Sequence, residues 1–293
     1  MPVDQEHTKS VFQKLNRQLT KLATKPQPKN VHQFRTNTRR LQALLEELAP
    51  ELGRNEKKLL KLLMRLRRRA GRVRDLDVQI AALRSLKIPQ EAARKGELLR
   101  TLAEMRAKRE KKFIKSVDAD TVRQLRKRLK RVAGGLQIPN GAEPLALATR
   151  IFSRVTQGQS PLTEKIMHSY RITGKRVRYV AELAGDVPEA KRMLETLKSM
   201  QDALGDWRDW LMLTQSAEEL FGDAPDCALI SALRNLTRAK FRHAMQVVTN
   251  TRALLLAKPA IAHRSGVSAE LSGAGARRKP VPSSGDVGSA AVA

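Results

Sequence analysis

The chain has 293 residues, 41% of them hydrophobic, with 57 Lys and Arg against 29 Asp and Glu and a formal charge of +28. That length suits one large domain or two small ones with a real core, and at 3% aromatics the core must be built from Leu, Ala, Val, Ile and Met. Self-repulsion at this charge opposes compaction, so the composition points to a polyanionic partner: nucleic acid, an anionic membrane or a phosphate polymer.

Leu-rich periodicity of 3.6 residues predicts helices over 4–24, 31–49, 54–86, 90–116, 119–134, 144–157, 162–185, 189–204, 206–221 and 226–257, and no strand. Pro and Gly mark the breaks: "KPQPKN" at 25–30, Pro50 to Gly53, Pro89, "GGLQIPNG" at 134–141, "GDVP" at 185–188 and "GDAP" at 222–225. Gly71 is expected to kink or split the segment 54–86. Residues 258–293, rich in Gly, Ser, Ala and Pro with a small "RRKP" cluster, have too little to bury and are expected to be disordered. Cys227 is the only cysteine, which excludes an internal disulfide and fits a reducing compartment. The start "MPVDQEHTKS" shows no signal peptide, and no apolar run is long enough for a membrane span. These features imply a soluble, cytoplasmic protein.

The two halves of the chain repeat each other. "HQFRTNTRRLQALLEEL" begins at His32 and "HSYRITGKRVRYVAELA" begins 136 residues later at His168. His32, Arg35, Arg39, Arg40 and Glu46 then match His168, Arg171, Lys175, Arg176 and Glu182. A second pair follows, "GRVRD" at 71–75 and "GDWRD" at 205–209. Two motifs in the same order imply a duplicated helical unit. The expected fold is all-α: two antiparallel helical bundles related by a pseudo-two-fold, over residues 1–135 and 142–257.

His168, Arg171, Lys175 and Arg178 are spaced to share one helical face, as are His32, Arg35 and Arg39. A third basic stripe is Lys58, Lys61, Arg65, Arg68 and Arg72. Like charges three and four apart repel by about 0.2–0.5 kcal/mol per pair, so a stripe does not help its helix fold. A solvated face explains one stripe. It does not explain a histidine at the same place in both halves, and His is the side chain that can donate a proton near neutral pH. Arg74 with Asp75 and Asp77, and Arg208 with Asp206 and Asp209, are ion pairs that orient arginines toward a ligand or braces between helices; the brace is favoured for the aspartates. No P-loop, dinucleotide fingerprint or HExxH is present, and His7, His243 and His263 lack metal-ligand spacing. No catalytic residue, metal or cofactor is implied, so the chain is not expected to be an enzyme.

The segments "VHQFRTNTRRLQALLEEL" and "MHSYRITGKRVRYVAELAG" resemble the two signatures of the CHAD family, the conserved histidine α-helical domain. "AGRVRDLDVQIAAL" and "LKSMQDALGDWRDWL" resemble the segments that follow each signature, and the resemblance extends over about residues 5–257. It implies two helical bundles around a basic groove, binding of inorganic polyphosphate and association with polyphosphate granules. The family's basic signature falls here on His32, Arg35, Arg39, Arg40, His168, Arg171, Lys175, Arg176 and Arg178. The ExExK strand of the CYTH domain, often fused to CHAD domains, is missing, so a stand-alone CHAD protein is expected. Gln42 stands where the family commonly has a basic residue; its counterpart Arg178 makes the second stripe the more charged one, and phosphate contacts are expected to be denser on that side.

Polyphosphate has charge but no bases, so its binding needs Lys and Arg and little else, through charge-assisted hydrogen bonds and counterion release. Arg65, Arg68, Arg72, Arg74 and Arg208 join the signature residues as expected contacts. Nucleic acid is the alternative partner, and a weaker one: single-strand binders stack bases on aromatic side chains, which are scarce here. The sequence leaves the oligomeric state open.

Overall fold

Apolar residues three and four apart give each segment one buried stripe, and the stripes set the architecture. The computed structural model describes residues 2–24, 27–139, 141–157, 161–222 and 227–256. The described residues form α-helices without a strand: α1 (Gln5–Thr24), α2 (Pro28–Leu48), α3 (Arg54–Ser85), α4 (Ala92–Ile114), α5 (Ala119–Gly135), α6 (Pro144–Thr156), α7 (Glu164–Ala181), α8 (Pro188–Phe221) and α9 (Ala228–Leu256). Short 3-10 turns at Pro89–Glu91 and Glu182–Ala184 precede α4 and follow α7. The segment 258–293 lies outside the described residues.

Local chemistry sets the helix starts. Asp4 Oδ1 accepts from the backbone N–H groups of Glu6 and His7 at 2.9 and 3.1 Å, and Asp118 Oδ1 accepts from that of Thr121 at 2.7 Å. These bonds satisfy amides that have no partner inside the helix. Pro28, Pro144 and Pro188 sit in first turns, where a missing N–H costs nothing.

Two expected breaks do not occur. The segments 189–204 and 206–221 are one helix, α8, and α3 runs unbroken through Gly71. A glycine inside a helix costs about 1 kcal/mol relative to Ala, whereas burying one large apolar side chain contributes about 1.5–3 kcal/mol. On both sides of Gly205, α8 buries such side chains, among them Leu197, Met200, Leu204, Trp207 and Leu213, so continuity wins.

Three apolar cores result. The first joins α1, α2, α5 and the first part of α3. The second joins α6, α7, the first part of α8 and the last part of α9. In the third, Leu76, Ile80 and Leu83 of α3 and Leu98 and Leu102 of α4 meet Leu213 of α8 and Leu229, Ile230 and Leu233 of α9. The halves also interpenetrate: Leu183 belongs to the first core and Ala43 to the second. Neighbour relations run in parallel, with α1 on α2, α2 on α3 and α3 on α4 in one half, and α6 on α7, α7 on α8 and α8 on α9 in the other. Across the middle, α2 packs on α7 and α3 on α8.

Polar links cross the same boundary. Arg40 Nε donates to Glu182 Oε2 at 2.6 Å across it, while Arg178 of the same half as Glu182 has its Nε 3.3 Å from the other carboxylate oxygen. Arg176 pairs in the opposite sense with Glu47. The Asp4 N–H donates to the Leu183 carbonyl at 2.9 Å. Gly185, beside it, has φ of 75°, and a Cβ there would meet Asp4 Oδ2 at 2.8 Å, so both conformation and space require glycine.

Glu182 is 8% exposed and holds two arginines. Glu182→Ala leaves both without their shared carboxylate and should lower the unfolding free energy by about 1–3 kcal/mol, the cost of an unsatisfied buried polar group. Urea denaturation measures this. Glu6→Ala, which removes an exposed pair with Lys9, is the control and should change stability by at most about 1 kcal/mol.

Candidate anion-binding site

α2, α3, α7 and α8 surround a cavity of about 530 Å³. α2 turns His32, Arg35, Thr36 and Arg39 into it; α7 supplies Arg171, Lys175, Arg178 and Tyr179; α3 supplies Arg74 and Asp75; α8 supplies Gln201, Asp202, Asp206 and Asp209. Arg39, Arg171, Lys175 and Tyr179 also line an adjoining compartment of about 380 Å³, with Arg67, Arg176, Gln42 and Glu46. The cations of α2 and α7 that stand in line along each helix thus converge across the boundary between the halves.

The charges are unevenly matched. Asp75 Oδ1 lies 3.7 Å from Arg35 Nη2, and Asp206 Oδ2 lies 2.8 Å from Lys240 Nζ, so these aspartates orient or neutralise cations. Arg39, Arg67, Arg171 and Lys175 have no ion-pair partner among the described residues. Arg171 Nε is buried without a hydrogen-bond acceptor. Arg67 donates through Nη1 to Gln42 Oε1 at 2.8 Å, so its hydrogen bond goes to a neutral group.

The titration behaviour follows. Burial, then the charges of Arg171, Arg39 and Arg35, pull Lys175 down to about 7, with Asp209 opposing. Burial and the repulsion of Arg39 and Arg35 bring Arg67 down to about 10. Burial lowers His32, helped by Arg74, Arg35, Arg39 and Lys175. It lowers His168 too, helped by Arg208, Arg171 and Lys175. Burial also raises Asp209, against the pull of Arg171 and Lys175. The site is therefore a place where positive charge is costly and an anion would be welcome.

Of the basic residues singled out in the sequence, His32, Arg35, Arg39, Arg74, Arg171, Lys175 and Arg178 line the central cavity. Arg176 lines the smaller compartment but is engaged by Glu47, and Arg40 is engaged by Glu182 on the other side of α2. These two are braces between the halves. His168 and Arg208 lie beside the cavity without lining it, close enough for Arg208 and Lys175 to lower the His168 pKa. Arg65, Arg68 and Arg72 are exposed on α3 and line neither compartment.

The face of α3 turned to the site is Arg67, Gly71, Arg74 and Val78, at spacings of four, three and four. Its signal is a pair of arginines bracketing a glycine. A Cβ at Gly71 would lie 3.7 Å from the Arg35 guanidinium, an ordinary van der Waals distance, so the Arg35 side chain lies against α3 at this position. Arg67, absent from the sequence-based set, also supplies the cation next to Gln42. The first side of the site is therefore as basic as the second. Arg178 meanwhile is shared with Glu182 and with Gln201, whose Oε1 accepts from its Nη1 at 3.3 Å.

Fold and site together define an all-α protein with a basic cavity between two helical bundles. The sequence model of the CHAD domain matches residues 7–218, and the chain belongs to that family. Its fold is similar to the crystal structure of the CHAD domain from the plant Ricinus communis, with a TM-score of 0.59 at 20% identity, over 85% of this chain and 89% of that one. It is equally similar to PptA from Streptomyces chartreusis, with a TM-score of 0.59 at 19% identity, over 85% of this chain and 99% of that one. No curated protein matches the sequence. No helix among the described residues is long and apolar enough to cross a membrane.

Lys175 loses its proton in the folded protein near pH 7, well below the 10.5 of an ordinary lysine. Between those values the unfolded chain binds one proton more, so this group makes stability rise with pH across the window, and its full cost is borne below it. Lys175→Met should therefore melt above the wild type at neutral pH and below, with the difference shrinking toward pH 10.5. Thermal melts of both proteins across pH test this; equal melting temperatures in mild acid would mean that the fold compensates the charge.

Proposed function

We propose that the protein binds inorganic polyphosphate in the basic cavity between its halves and does not shorten it, and that it associates with polyphosphate granules in cells that contain them. The observation that carries this reading is the convergence of Arg39, Arg67, Arg171 and Lys175 without ion-pair partners. An isolated monovalent anion would neutralise one of them. A linear chain of phosphates meets several at once, and arginine forks suit phosphate oxygens. Carboxylates, polar and aliphatic groups complete the lining, and among the described residues Tyr179 is the sole Phe, Tyr or Trp in either compartment. Phe34, Phe113, Phe152, Tyr170 and Trp207 are fully buried in the cores. Among the described residues, nucleic acid thus finds charge but only the largely buried Tyr179 on which to stack a base, which favours the phosphate polymer.

Competition tests the choice of ligand. Unlabelled polyphosphate should displace labelled polyphosphate at lower total phosphate than single-stranded or duplex DNA does at physiological salt; DNA displacing as well or better would overturn the reading. Arg39→Ala and Arg171→Ala should each weaken polyphosphate binding by about 1.5–3 kcal/mol and flatten the salt dependence by about 0.7 per charge removed. Gel analysis after incubation with a divalent metal should show chains of unchanged length.

Binding should also take up protons. Bound phosphate favours the charged forms of Lys175, His32 and His168, all lowered in the free protein, so it raises their pKa values. Affinity should fall as pH rises through and above neutrality. Calorimetry in two buffers of different ionisation enthalpy at mildly alkaline pH reads the uptake directly. Lys175→Arg, charged throughout, should abolish most of it while preserving binding.

A further inference from the structure

A third compartment adjoins the central cavity at His32 and Thr36. Lys14, Arg17 and Lys21 of α1, spaced three and four residues apart, share one helical face and are exposed. They line a space of about 470 Å³ together with His32, Thr36 and Arg40 of α2. His32 and Thr36 line the central cavity as well, so the two spaces meet at these residues.

This compartment differs from the central one in its charge balance. No carboxylate lines it, whereas four aspartates face the central cavity. Its floor is held by neutral groups: Gln18 Nε2 donates to Gln33 Oε1 at 2.7 Å. Arg40 is already engaged by Glu182, but Lys14, Arg17 and Lys21 have no ion-pair partner among the described residues. The row of three is not repeated at the corresponding positions of the other half. α6 packs on α7 as α1 packs on α2, yet the positions 136 residues further on are Arg150, Ser153 and Gln157.

We infer that Lys14, Arg17 and Lys21 form a one-sided exit track, along which a polyphosphate chain too long for the central cavity leaves past His32 and Thr36 and continues over α1. This rests on the polyphosphate reading and adds a consequence that reading lacks. Short chains are held by the central cations alone; long chains gain the α1 contacts, so affinity depends on chain length through these three residues.

The test compares tripolyphosphate with long-chain polyphosphate on three proteins: wild type, K14A/R17A/K21A, and K108A/K111A/K112A, which removes the same charge from exposed positions of α4. The α1 variant should bind long chains at least 10-fold more weakly, with a salt slope reduced by about 2, as three lost contacts at about 0.7 each require. Its tripolyphosphate affinity should equal that of the wild type, and the α4 variant should bind long chains normally. Thermal melts confirm that both variants are folded; if the α1 triple is unstable, K14Q/K21Q replaces it and should show the same selective loss. Equal losses for both ligands, equal losses in the two triples, or no loss at all would overturn the track while leaving central binding intact. A wild type that binds neither ligand would defeat the polyphosphate reading and the track with it.

Discussion

Repulsion among cations at the boundary between the two halves is the constraint around which the rest is arranged. Arg39 is close enough to lower the proton affinity of both Arg67 and Lys175, and Arg171 that of Lys175; left alone, such charges would drive α2 and α7 apart. Ion pairs that cross the boundary at the edges of the site oppose this. Glu182 takes Arg40, and Glu47 takes Arg176; Arg178, in the same half as Glu182, shares that carboxylate. The two arginine positions that immediately follow Arg39 and Lys175 thus hold the halves together so that the preceding pair can remain unpaired.

Apolar packing supplies the remaining restraint. Leu183 reaches into the first core and Ala43 into the second, so the halves cannot separate without exposing both. The third core ties α3 and α4 to α8 and α9. Because burial is non-directional and scales with area, it tolerates strained electrostatics elsewhere provided the apolar faces stay matched. The aspartates of α3 and α8 then tune the cavity: Asp75 steadies Arg35, and Asp209 partly offsets the burial cost of Lys175.

Such a site is stabilised when occupied. The cost of concentrating positive charge is borne by the free protein and relieved by an anion, so part of the binding free energy comes from repulsion removed rather than contacts made. The low pKa of Lys175 couples that relief to protons: in the proposed complex, a lysine that is part neutral near pH 7 would become charged beside the bound anion.

The all-α fold and nearly every helix could be read from the sequence, because a 3.6-residue apolar period is a local property of the chain. So could the basic stripes of α2 and α7, since residues three and four apart must share a face. The joining of 189–204 and 206–221 into α8 could not, because the burial that outweighs Gly205 comes from side chains of α7 and α9. Nor could the division of labour among the arginines. Arg39 and Arg40 look alike in sequence, yet one faces the cavity unpaired and the other meets Glu182, 142 residues away. On α3 the more conspicuous stripe, Arg65, Arg68 and Arg72, faces solvent, while Arg67 and Arg74 face the site across Gly71. Periodicity states which residues share a face. Which face is turned toward another helix depends on apolar surfaces far apart in the chain, and only their packing decides it.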